Sequence, residues 1–307
     1  MNDTAEVVRS IQTPSRALLS MLPCFLFLYV NAVMLFALLR KPLLLESSRY
    51  ILFGHLLFTD SLQLLVSMLL YIFAVTMIKM SSYVCIIFTL IAGVTVKMSP
   101  LNLAVMSLER YVAICFPLRY INIATTRTTG VAIAVMWSMA SLDSFTQLFL
   151  FVSSTNTSFT THCTRQSVFK LHIYTTLNRS FTIMYFVLVS MIIIYSYIAI
   201  MVSVKTSSAN VCHVDKAHRT VLLHLLQLCL CLTSTLFNMI NSSGLWNIDP
   251  ATAIHVQYAL FLGLIMFPKC LSPLLYGLRD NHFRHVLKDC FTFGLERRAK
   301  IRPAPKF

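Results

Sequence analysis

Charge is what this chain lacks. Of its 307 residues only 12% are Asp, Glu, Lys or Arg, about half the ~25% of a typical soluble domain. A water-facing surface needs more than that, so intrinsic disorder is excluded and a soluble enzyme is set aside. Glycine is scarce too. The seven Gly and ten Pro are scattered rather than gathered into linkers, and no internal repeat or low-complexity tract divides the chain. A Gly-rich phosphate loop, a metal-spaced His/Cys set and a nucleophile motif are all missing, and the nine His are dispersed, which argues against an enzyme. The paired interrupted helices of a transporter are likewise absent.

What is present is apolar: 57% of the chain is hydrophobic and the mean hydropathy is +0.74. Apolar stretches fall near 17–39, 50–76, 83–106, 128–152, 180–204, 220–242 and 252–277, each long enough for the ~20 residues a membrane helix needs. The reading is an all-α membrane protein, a seven-helix bundle forming one domain over 17–277. Residues 1–16 are expected to form an outer N-terminus and 278–307 a cytoplasmic helix and tail.

The net charge of +14 invites a nucleic-acid reading, but its placement says otherwise. Seventeen of the 25 basic residues fall on one face of the bundle, among them Arg40, Arg49, Arg110, Arg119, Arg127, Lys216 and eight in the tail. Six fall on the other face, and Lys97 and Lys269 lie within spans. Cytoplasmic loops collect Lys and Arg, so the N-terminus is expected outside and the C-terminus inside. The first fifteen residues carry Asp3 and Glu6 without an apolar core after a basic start, unlike a cleavable signal peptide.

Most of the nine cysteines lie in spans or on the reducing side. Cys85, opening the third span, and Cys163, in the second outer loop, are placed to pair, the alternative being two free apolar thiols. Asn2 and Asn156 head glycosylation sequons on the same face. The sequons at Asn178 and Asn241 hug or enter the membrane.

At the inner end of the third span stands Ser-Leu-Glu-Arg-Tyr-Val-Ala-Ile-Cys-Phe-Pro-Leu-Arg-Tyr over 107–120. Its Glu109-Arg110-Tyr111 resembles the acidic-Arg-Tyr signature of rhodopsin-like G protein-coupled receptors, and the run to Tyr120 is similar to odorant receptors. Cys85 and Arg110 are 25 residues apart, about 37 Å at ~1.5 Å per residue, enough to cross a ~30 Å core. Lys216-Ala217 followed by His224 resembles the family's opening of the sixth span, and Ser196-Tyr197 its fifth-span pair. Pro268-Lys269-Cys270-Leu271-Ser272-Pro273, ending at Tyr276, looks most like fish odorant receptors. Departures are Val30 before Asn31, Glu109 for the commoner Asp, and Cys231-Leu232 where an aromatic pair is usual. The last weakens the case for an aromatic toggle beneath the ligand.

The resemblance implies an odorant receptor in the plasma membrane, in the cilia of olfactory neurons, that binds a small odorant in an outer cavity. It implies activation of a heterotrimeric G protein and a rise in cyclic AMP. Glu109, Arg110, Tyr111, Tyr197, His224, Pro273 and Tyr276 would form the switch. A rhodopsin-like receptor for a lipid or peptide is the alternative, and a small transporter or channel the alternative of another class.

An ionisable residue inside the membrane is a functional hypothesis by default. By resemblance Asn31, Asp60, Ser99, Lys269 and Ser272 converge where relatives hold sodium. Lys269 would put an ammonium there, so it is expected to pair with Asp60 and leave sodium absent or weak, unless it snorkels elsewhere. No other cofactor or metal is expected. Lys97 and Asp143 lie at comparable depth. They form an interhelical pair, or Lys97 reaches the cavity floor and meets an anionic or carbonyl oxygen.

Between Cys85 and Lys97 there is no Asp or Glu, which disfavours amine ligands. Helical spacing and family geometry nominate Gly93, Val96, Lys97, Phe181, Tyr185, Asn238, Asn241, Tyr258 and Leu262 as cavity residues, each with ordinary packing or lipid contact as its alternative. In the tail, Phe283, Val286, Leu287 and Cys290 recur at helical intervals among basic residues, the pattern of a helix on an anionic leaflet, with Cys290 a palmitoylation candidate. The bilayer, an odorant and a G protein are the expected partners, and nucleic acid is not.

Overall fold

The computed structural model describes residues 2–40, 46–75, 79–153, 160–162 and 172–206, together with 222, 225, 226, 229, 233 and 263. The expected sixth and seventh spans and the tail helix lie outside that set, apart from those few positions. Long helices dominate: α1 (Asn2–Leu39), α2 (Ser48–Val75), α3 (Ser82–Cys115), the single turn α4 (Tyr120–Ile123), α5 (Thr126–Ser153) and α6 (His172–Thr206). Five are long and apolar enough to cross a membrane, over Met21–Leu39, Ser48–Phe73, Ser82–Cys115, Thr126–Ser153 and Thr176–Ser203. They correspond to the first five expected spans. Helix is the form such sequences take in lipid, because it satisfies every backbone N–H and C=O within the segment.

The hydroxyls follow the same rule. Thr89, Thr95, Ser138, Ser141, Thr146 and Ser196 each donate to the carbonyl four residues earlier, which keeps a polar group out of lipid at little cost to the helix. Pro100 sits inside α3 and removes one rung of its ladder. The helix nonetheless continues to Cys115, nine residues beyond the expected end of that span, so Glu109 and Arg110 are helical residues rather than loop residues.

Helix α3 is the axis of the bundle. Its Met98, Leu101, Leu103, Ala104 and Met106 share one core with Leu52 and Leu56 of α2, Met136 and Ala140 of α5, and Tyr185, Val189 and Ile193 of α6. Helix α1 packs on α2 through Met34, Ala37, Leu38, Phe53 and Leu57. Gly54 lets the two approach, since a Cβ there would meet Leu38 Cδ2 at 2.8 Å. Large apolar side chains such as Phe145, Phe149 and Met191 are mostly exposed, as they must be where the surroundings are hydrocarbon rather than water.

Two three-residue strands depart from an all-helical chain. β1 (Lys79–Ser81) pairs antiparallel with β2 (Thr160–His162), Lys79 opposite His162 and Ser81 opposite Thr160. Both lie outside the spans, where backbone groups can pair across loops.

Candidate functional site

At the Arg110 end of α3, Glu109 and Arg110 are both buried. Arg110 Nε lies 3.4 Å from Glu109 Oε2, an ion pair without a hydrogen bond at that nitrogen among the described residues. Glu109 is braced from the other side: the Tyr120 hydroxyl of α4 donates to its Oε1 at 2.7 Å. Burial, followed by the bond to Glu109 and its charge, pushes the Tyr120 phenol well above its ordinary range, so this donor stays protonated. In the sequence Tyr120 only closes the motif, and nothing in a linear pattern says that it turns back on the helix to reach Glu109.

Tyr111 faces away from that pair. Its ring meets Phe116 and Tyr195 edge-on, each at 5.8 Å between centroids. With Cys115, Ile198, Ala199 and Val202 these rings line a shallow cleft of about 500 Å³ between α3 and α6. Tyr197, the expected fifth-span switch residue, is half-buried, and Tyr195 rather than Tyr197 meets Tyr111.

Deeper in the bundle Asp60 is buried and accepts a hydrogen bond from Ser99 Oγ at 2.5 Å. Asn31 is buried as well. Their expected companions Lys269 and Ser272 lie outside the described residues, as do His224, Pro273 and Tyr276 of the switch.

A polar chain that sequence reasoning missed joins α2, α3 and α5. Trp137 Nε1–H donates to His55 Nε2 at 2.9 Å, and His55 Nδ1 contacts Asn102 Oδ1 at 2.9 Å. Because Nε2 accepts, Nδ1 must carry the proton, which assigns a neutral ring. Asn102 Nδ2 continues to Thr59 Oγ1 at 3.4 Å, and Thr59 donates to the Leu56 carbonyl at 3.0 Å. Each of the four side chains in the chain thus donates to an acceptor. A histidine and an asparagine inside apolar runs were the available signal.

Nearer the Cys85 end, the Lys97 ammonium of α3 forms a buried ion pair with Asp143 Oδ2 of α5. Asp143 Oδ1 accepts from Gln147 Nε2 at 2.8 Å. Lys97 Nζ also lies 5.5 Å over the Tyr185 ring centroid, a cation–π distance, while the Tyr185 hydroxyl is tied to the Met139 carbonyl. Of the nominated cavity residues, Lys97 and Tyr185 thus meet in one cluster. Phe181 packs against the adjoining core, and Gly93 faces Ser144 of α5. Val96, one residue and about 100° along the helix from Lys97, is half exposed. Asn238, Asn241, Tyr258 and Leu262 lie outside the described residues.

Cys85 is buried and disulfide-bonded. Cys163, Asn156 and Cys290 lie outside the described residues, and Asn2 begins α1.

Comparison with known proteins agrees with this architecture. Residues 30–276 match the family described as 7 transmembrane receptor (rhodopsin family). The chain is 35% identical to Odorant receptor 131-2 of Danio rerio, over 86% of this chain and 82% of that protein. It is 28% identical to Olfactory receptor-like protein COR2 of Gallus gallus, over 86% and 87%. It is also 28% identical to Olfactory receptor 7A10 of Homo sapiens, over 62% of each.

Proposed function

The chain belongs to the odorant receptors of the rhodopsin-like seven-transmembrane family, and from that premise we propose that it binds a small odorant between its helices and activates a heterotrimeric G protein that raises cyclic AMP. It is a multi-pass membrane receptor and not an enzyme. The N-terminus faces outside and the tail the cytoplasm, with olfactory cilia as the site of action.

The observation that carries the proposal is the Glu109–Arg110 pair braced by Tyr120. A buried arginine that meets one carboxylate among the described residues can change partners, and the brace belongs to the single turn α4 at the bundle's end rather than to the core. Beside it Leu118 is 94% exposed and Ile121 80% exposed, apolar side chains available to a protein docking at that face. An odorant favours the active arrangement only through its greater affinity for that state. In that state Arg110 leaves Glu109, with Tyr197, Tyr276 and the G protein as its new surroundings, while His224 and Pro273 lie on the moving spans.

The remaining assignments extend the same reading. Cys163 is the partner of Cys85. Support comes from the β1–β2 pairing, which brings His162, the residue just before Cys163, to Lys79, a short way from Cys85. Asn2 and Asn156 carry glycans, and Cys290 a palmitoyl chain. Lys269 joins Asn31, Asp60, Ser99 and Ser272 and displaces sodium. Sodium-sensitive ligand affinity that persists unchanged in Lys269→Ala would overturn that last assignment.

A cyclic AMP screen of cells expressing the receptor tests the main proposal. Acids, aldehydes, steroids, prostanoids and amines would be compared, with Arg110→Ala at equal surface expression as the inactive control. A ligand response that Arg110→Ala retains in full, or a ligand-gated current without nucleotide exchange, would overturn it.

A further inference from the structure

Tyr111 turns away from the Glu109–Arg110 pair and into a cleft whose place in the membrane limits what can fill it. Tyr111 and Cys115 stand one turn apart on α3, and Tyr195, Ile198, Ala199 and Val202 recur at helical intervals on α6. Tyr111 meets Tyr195, and Cys115 meets the Ala199 carbonyl at 3.9 Å. Both contacts advance by four residues on each helix, so the two helices run parallel here. Where Cys115 opposes Ala199 the side chains are small, and they leave a hollow of about 500 Å³. Its walls belong to Ser82–Cys115 and Thr176–Ser203, segments apolar enough to span a membrane. Tyr195, Ile198 and Val202 are each more than half exposed, so the medium at the opening is hydrocarbon rather than water.

Past Phe116 and Ser203, at the membrane edge, the chemistry changes from apolar to basic. The Phe116 carbonyl accepts from the Arg119 backbone N–H at 3.1 Å, a turn that keeps the exposed Arg119 near the cleft. Lys205 stands in the last turn of α6, two residues after Ser203. No Asp or Glu occurs over 110–120 or 195–206. We propose that the cleft holds an acyl chain of an anionic phospholipid from the cytoplasmic leaflet, with its headgroup on Arg119 and Lys205. The site rests on the reading that the Arg110 end faces the cytoplasm. Phosphatidylcholine has the chains but no net charge for the two cations, and a sterol offers them only a hydroxyl. An anionic lipid matches both halves of the site, and the cytoplasmic leaflet is where such lipids collect and attract Lys and Arg. The occupant lies against Tyr111, next to Arg110, and against Arg119, next to the Tyr120 that braces Glu109. It therefore adjoins the switch from outside the bundle.

The test uses the full-length receptor in phosphatidylcholine nanodiscs and two probe lipids, phosphatidylserine and phosphatidylcholine, each with a photoreactive diazirine in one acyl chain. Cross-links are mapped by peptide mass spectrometry. Segments 111–116 and 195–203 are expected to label more than about tenfold better with phosphatidylserine, since each basic residue at the surface favours an anionic headgroup about fivefold. Unlabelled phosphatidylserine should compete. Arg119→Gln should lower the preference about fivefold. Ala199→Phe, which fills the hollow with an apolar ring, should abolish it, while labelling near the exposed Phe145 and Phe149 stays as in wild type. Ala199→Leu replaces Ala199→Phe if the phenyl variant does not fold. Equal labelling by the two probes, the mark of ordinary boundary lipid, overturns the proposal. So does a preference that both variants keep, or labelling that cholesterol displaces and phosphatidylserine does not. Failure of the orientation shows separately, as an N-terminal epitope that antibody does not reach on intact cells.

Discussion

Tyr120 is one side chain with a disproportionate part at the proposed switch. Its hydroxyl donates to the carboxylate that holds Arg110, and a hydrogen bond to a charged group contributes about 1.5–3 kcal/mol. Tyr120→Phe removes that bond and leaves the ring in place. If the pair restrains the resting state, basal cyclic AMP should rise several-fold at matched surface expression. An unchanged basal level would show that the brace does not restrain activation. The sign of any pH effect also follows. The folded-state pKa of Tyr120 is raised above the ordinary phenol value near ~10, so the stability it contributes is fully present below that value and is lost only as pH rises beyond it. Across pH 6 to 9 the difference in basal activity between wild type and Tyr120→Phe should be constant. At this scale Glu109, Arg110 and Lys97 were legible from the sequence, because a charge inside an apolar run is costly enough to demand a reason.

Pairs of helices are held by contacts that a linear reading does not reveal. The chain from Trp137 through His55 to Asn102 ties α5, α2 and α3 with matched donors and acceptors. Removing one member leaves a partner unsatisfied, at about 1–3 kcal/mol. Trp137→Phe and His55→Phe should each lower the thermal midpoint of the detergent-solubilised receptor, and together they should cost less than the sum of the two. Strict additivity would mean that the bond contributes nothing. Gly54 makes the parallel case for α1 and α2. Gly54→Val should destabilise because even a Cβ reaches Leu38 Cδ2 at 2.8 Å, and Leu38→Ala in the same chain should recover part of the loss. The five helices themselves were legible, since ~20 apolar residues permit little else in lipid. Their ends were less so: α3 runs on to Cys115 because amphipathic helix continues past the apolar run, and β1 and β2 are too short to leave a pattern.

The distribution of basic residues concerns the whole molecule. Placing Arg9, Arg16, Lys79 and Arg165 outside and Arg49, Arg119, Arg127 and Lys216 inside implies that Asn156 is exposed to the glycosylation machinery. Asn2→Gln and Asn156→Gln should each remove one glycosidase-sensitive mass increment on a gel. A mass unaffected by either change would contradict the orientation.

Membrane residence, the approximate spans, the one-sided charge and the Glu109-Arg110-Tyr111 signature followed from the sequence by itself. Each depends on hydropathy, sign of charge or local order, quantities that do not require knowing which helix lies beside which. Which charges meet was decided only by the tertiary structure. Lys97 and Asp143 are 46 residues apart, and His55 and Trp137 82. Such pairs form because helix packing sets rotation and depth together, and both are properties of neighbours rather than of any one segment. The scarcity of charge called for a membrane. The packing determined that one of its few buried cations, Lys97, carries its own counter-ion in Asp143.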